Sequence, residues 1–100
     1  MEHNLQVGVR KETGHYQRVI HLIFQNIGED EIPRTSYFLK VKEGSKTVNE
    51  LDSHEFGPLA PGEIEEQEIK GALNTGWFIR QKITVKTLGN IYEMSVDMFT

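Results

Sequence analysis

Apolar side chains recur at every second position along most of this chain. Ile20, Leu22 and Phe24 do so in one stretch, Tyr37, Leu39 and Val41 in another. Trp77, Ile79, Ile83 and Val85, then Tyr92, Met94, Val96 and Met98, repeat the pattern near the end. A period of two is the signature of a strand with one covered face, because successive side chains leave a pleated backbone on opposite sides. The residue types agree. Val, Ile, Thr, Phe, Trp and Tyr supply 32 of the 100 residues and Ala only two, so most side chains fit a pleated surface better than a helix.

Turn signals cut this pattern into seven short strands. Leu5, Val7 and Val9 form the first, and Glu12 to His15 the turn after it. The second runs from Tyr16 to Asn26, with Ile20, Leu22 and Phe24 assigned to the core and Val19 and Ile23 facing outward or partly covered. Asn26 to Glu31 breaks the alternation, and Pro33 bars a central strand there. The third strand passes through Tyr37, Leu39 and Val41, and Glu43 to Lys46 is a turn. Thr47 to Phe56, with few apolar anchors, reads as a weak edge strand, and Gly57-Pro58-Leu59-Ala60-Pro61-Gly62 must be loop. Glu63 to Ile69 reads as an acidic helix turn or a strand; with Ile64 and Ile69 five apart, a strand whose bulge shifts the alternation by one is preferred. Gly71 to Gly76 returns the chain to the last two strands, which Leu88-Gly89-Asn90 joins as a hairpin. Seven strands at such intervals, with no linker or repeat, predict one all-β sandwich domain over residues 1–100. Its expected core is Ile20, Leu22, Phe24, Leu39, Val41, Ile79, Ile83, Val85, Met94 and Val96.

Ile20-x-Leu22-x-Phe24-x-Asn26-x-Gly28, followed by Leu59-Ala60-Pro61-Gly62-Glu63, resembles the immunoglobulin-like modules called cell-adhesion-related domains found in bacteria. In that group a second strand ends in Asn-x-Gly, a Leu-x-Pro-Gly-Glu loop precedes a later strand, and a hairpin closes the fold. The resemblance implies a seven-stranded immunoglobulin-like Greek-key sandwich acting as a non-catalytic accessory or adhesion module, with no active site to carry over. The acidic Glu29-Asp30-Glu31 departs from the small residues more usual there, and the crowded acidic run Glu63 to Glu68 is a second departure.

If the third and sixth strands are neighbours, as in immunoglobulin-like sheets, their outer faces place Phe38, Lys40 and Lys42 beside Phe78, Arg80, Lys82 and Lys86. Ile91, Glu93, Ser95 and Asp97 then lie alongside, and Glu65, Glu66 and Glu68 mark the edge of the opposite sheet. Lysine stems commonly cover exposed sheet aromatics, so an ordinary solvated face competes with a docking face. The solvated face is the plainer account, and the basic, aromatic strip is the candidate contact for a protein partner or a second copy.

Other chemistry finds little footing. Without cysteine there is no disulfide, zinc-thiolate site or thiol nucleophile. His3, His15, His21 and His54 are scattered, and Ser53 and His54, as strand neighbours, point to opposite faces. Glu29, Asp30 and Glu31 offer calcium-type oxygens but diverge, and His21 near Glu65 or Gln67 reads as a cross-strand hydrogen bond rather than a metal pair. We therefore expect no enzyme and no cofactor. A net charge of −4 argues against nucleic acid, and no apolar run nears the ~20 residues that span a bilayer. A carbohydrate or small-ligand module is the alternative, requiring Trp77, Tyr16, Tyr37 or Tyr92 exposed in a row. No secretory signal opens the sequence, so the cytoplasm is expected for a full-length chain and a surface or secreted setting for an excised domain.

Overall fold

The seven alternating stretches become seven antiparallel strands in a computed structural model that describes residues 4–14, 17–70 and 78–99. They are β1 (Leu5–Gly14), β2 (Gln17–Asn26), β3 (Thr35–Glu43), β4 (Lys46–Phe56), β5 (Ile64–Lys70), β6 (Phe78–Thr87) and β7 (Asn90–Phe99). No helix occurs among the described residues, and none is long and apolar enough to cross a membrane. One sheet has the order β1-β2-β5 and the other β4-β3-β6-β7. The weak strand does lie at an edge, and β3 and β6 are neighbours.

The two sheets pack face to face over the side chains that the alternation places inward. Ile20, Leu22 and Phe24 from β2 and Ile69 from β5 meet Tyr37, Leu39 and Val41 from β3, Ile83 and Val85 from β6, and Val96 from β7. Phe24 stacks on Phe56 with centroids 4.4 Å apart, and Tyr37 tilts against it at 5.1 Å. Leu5, Ile32, Phe56 and Leu59 extend this core beyond the residues expected for it, whereas Met94 packs against it from a partly exposed position. The Ile79 side chain lies outside the described residues.

Three local readings change. β1 continues through Glu12 and Thr13 to Gly14, where the sequence suggested a turn, because every residue up to Gly14 keeps its partner on β2. β5 carries no bulge: it pairs β2 in an unbroken register from Ile64 to Lys70. The alternation there is kept by polar residues, with Glu65 and Gln67 turned toward the sandwich beside Ile69, and Ile64 left 57 % exposed. The irregularities sit instead between β3 and β4, at Tyr37/Leu39 and Val41/Lys42. In the last hairpin the positive φ angles fall on Leu88 (52°) and Gly89 (73°), whereas Asn90 already belongs to β7. Packing of Leu88 against the core offsets the left-handed backbone that its side chain disfavours.

Candidate docking face

Because Tyr37, Leu39 and Val41 take the inner side of β3, the even-numbered residues must face outward. The register then sets them in rows across the sheet. Phe38 lies opposite Lys86, which lies opposite Ile91; Lys40 opposite Thr84, then Glu93; Lys42 opposite Lys82, then Ser95. These residues line one open depression on the outer side of the four-stranded sheet. Its upper row sets two apolar side chains, Phe38 and Ile91, on either side of Lys86, with Ile91 62 % exposed and the Lys86 ammonium 5.8 Å from the centre of the Phe38 ring. At exposed sites such a contact contributes about 0.5–1 kcal/mol.

Five of the seven residues read from the sequence as a contact strip are thus brought together: Phe38, Lys40, Lys42, Lys82 and Lys86. Arg80 is not part of the depression. Its Nε donates to Asp97 Oδ1 at 2.8 Å, a hydrogen bond that raises the guanidinium pKa further and commits its charge to the neighbouring strand. The Phe78 side chain lies outside the described residues, as do Trp77 and Tyr16. Tyr37 is buried and Tyr92 packs against the core, so neither is an exposed platform for a sugar ring.

The opposite sheet carries charge of the other sign on its edge. Glu66 and Glu68 face outward from β5, but Glu65 does not, because the unbulged register turns it inward. Glu66 accepts a hydrogen bond from Arg10 and lies 3.2 Å from His21 Nδ1; the expected neighbours of His21, Glu65 and Gln67, are on the other face. Glu29, Asp30 and Glu31 are exposed, and no group of three or more His, Asp or Glu among the described residues is arranged to hold a metal.

Two polar centres were not foreseen. In the first, Tyr37 Oη donates to Gln67 Oε1 at 2.5 Å. Gln67 Nε2 in turn donates to Glu65 Oε2 at 2.7 Å and to the Glu55 carbonyl at 2.8 Å, and the Gly57 amide donates to Glu65 Oε1 at 3.2 Å. This chain of bonds ties β3 and β4 of one sheet to β5 of the other. The second is Asn26, at the end of β2, which is fully buried between two loops.

Burial, and secondarily the charge of Glu65, pushes the Tyr37 hydroxyl up to about 12 from its ordinary 10. The unfolded tyrosine loses its proton near pH 10 and the folded one only near 12. The bonus is therefore intact below pH 10 and lost as the pH climbs from 10 through 12. Two units correspond to about 2–3 kcal/mol. Urea unfolding between pH 9 and pH 12 should show this decline, and Tyr37→Phe should flatten it.

No protein-family model matches this chain, and neither a curated protein nor a solved structure matches it.

Proposed function

We propose that this chain is a non-catalytic immunoglobulin-like module that docks a protein partner through the outer face of its four-stranded sheet. The observation that carries the reading is the register-built row of Lys42 opposite Lys82, next to the exposed Ile91 and half-buried Phe38. Like charges set directly opposite each other destabilise a sheet. Among the described residues no acid forms an ion pair with either lysine. An acidic group supplied from outside is the compensation such a pair calls for.

The strand orders β1-β2-β5 and β4-β3-β6-β7 favour a Greek-key path, since the chain changes sheet after β2, after β4 and after β5. The resemblance to cell-adhesion-related domains gains support from the motif residues, because Asn26, Gly28 and the Leu59–Glu63 loop contact one another at one end of the sandwich. A carbohydrate-binding role loses two of its four aromatic platforms with Tyr37 and Tyr92.

A photo-crosslinking residue at Thr84, in the middle of the face, tests the reading in extract of cells that make the protein. It should capture a partner that the same group at Gln25, on the other sheet's outer face, does not, and Lys42→Glu with Lys82→Glu should remove the product. Equal capture at both positions, or capture indifferent to the lysines, refutes a docking role for this face.

A further inference from the structure

Three exposed large apolar residues stand out on the described surface: Ile27 at 58 %, Ile64 at 57 % and Ile91 at 62 %. Ile91 closes the apolar end of the lysine-lined face, and Ile64 begins the outward row of β5. That row continues with Glu66 and Glu68, both exposed. Read along the strand it is apolar, acidic, acidic at every second residue. Along β3 the docking face reads Phe38, Lys40, Lys42: apolar, basic, basic at the same interval. Both rows advance about 6.5–7 Å per step, because two residues of any strand span that distance. The same molecule thus carries a strip and its complement on opposite sheets.

We propose that the face of one copy receives the β5 strip of a second copy, front to back. The inference rests on the reading of this face as a docking surface and names its occupant. Ile64 seats against the Phe38–Ile91 row, Glu66 comes over Lys40, and Glu68 comes between Lys42 and Lys82. This one contact covers two of the three exposed isoleucines and supplies the acid that the Lys42–Lys82 pair lacks. Glu66 is shared with Arg10 and His21, yet a carboxylate accepts more than two hydrogen bonds, and Glu68 has no ion pair among the described residues. Net charges of −4 on both copies hardly oppose the approach, since repulsion between centres beyond a Debye length of about 8 Å is screened at physiological salt. The two surfaces differ, so the contact is heterologous and does not close at a dimer. The contact is small, which makes it weak and salt-sensitive.

Sedimentation velocity of the purified chain over rising concentration tests this. The weight-average mass should grow past that of a dimer, and association should weaken about ten-fold as ionic strength rises from about 0.05 to about 0.5 M, as expected for exposed charges. Lys42→Glu with Lys82→Glu should sediment as a monomer, as should Glu68→Lys with Ile64→Ser, and an equimolar mixture of the two should regain association. Lys82→Glu alone should raise the melting temperature, because it converts a repulsive cross-strand pair into an attractive one; a variant that melts higher but no longer associates separates lost contact from lost fold. A wild-type chain that stays monomeric throughout, association untouched by Glu68→Lys, or a mixture no better than its components would each overturn the proposal. A monomeric pure chain that still crosslinks a different protein from Thr84 would sink the second copy and leave the docking face standing.

Discussion

Asn26→Ala is expected to destabilise the protein by about 2–4 kcal/mol and to loosen two loops at once, because three hydrogen bonds at about 1 kcal/mol each are lost, one of them buried and two part-buried, and a cavity is left at a fully buried position. Asn26 Nδ2 donates to the carbonyls of Asp30 at 2.8 Å and Leu59 at 3.0 Å, and Oδ1 accepts from the Gly28 amide at 3.0 Å. Its backbone works in the same place: its amide donates to the Glu63 carbonyl at 3.1 Å, and its carbonyl accepts from Gly62 at 2.8 Å. One residue therefore closes the turn after β2 and fastens it to the loop before β5. The Ile32–Leu59 bridge, with reciprocal bonds of 2.9 and 2.7 Å, depends on that fastening to bury both side chains.

Asn26→Asp separates shape from donor chemistry. It keeps the acceptor for Gly28 but sets a carboxylate oxygen against two carbonyl oxygens, so its loss should match or exceed that of alanine. Equilibrium urea unfolding measures both, and hydrogen exchange at Gly28, Ile32 and Leu59 should accelerate well before that of β2 or β6. If Asn26→Ala unfolds within 0.5 kcal/mol of wild type, where ordinary surface substitutions fall, the two loops are held by something else. Gly28 explains the spacing of the motif. A Cβ there would come within 3.1 Å of the Asn4 side chain, which would have to give way by a few tenths of an ångström for any residue larger than glycine.

The sequence made the layers legible because most inward positions are simple hydrocarbons. On β2, Ile20, Leu22 and Phe24 leave no other face to bury, and the outer row of β3 follows once its inner row is known. Asn26 already fell on the buried face of β2 by parity, but parity cannot say which loops a side-chain amide will join. β5 was misread for a physical reason. Glu65 and Gln67 look like outward residues, and they tolerate the inner side because Tyr37 on β3, the Glu55 carbonyl on β4 and the Gly57 amide just after it satisfy them. Such long-range satisfaction leaves no periodic trace. The outward row of the four-stranded sheet was legible where charge follows register, at Lys40, Lys42, Lys82 and Lys86; that Asp97 takes up the charge of Arg80 follows from their lying opposite each other on β6 and β7.

Phe24→Ala should carry the largest cost of any single truncation, about 3–5 kcal/mol, the range found when a fully buried phenylalanine is cut back and the cavity does not collapse. Phe24 sits at 0 % exposure on the middle strand of its sheet, stacked on Phe56 with rings 3° from parallel and flanked by Tyr37. Neither sheet can close over the gap, because β2 is fixed by β1 on one side and β5 on the other. With total stability of a domain this size about 5–15 kcal/mol, the variant should be marginal at 37 °C or unfolded. Phe24→Leu keeps most of the volume and should lose far less. The Phe24→Ala, Phe56→Ala pair should cost less than the sum of its single changes, because each already removes the stacking that the other provides. Thermal and urea unfolding of the four proteins measures the coupling. Full additivity would mean that the two rings bury apolar area independently and that their contact adds nothing to joining the end of β4 to the centre of the facing sheet.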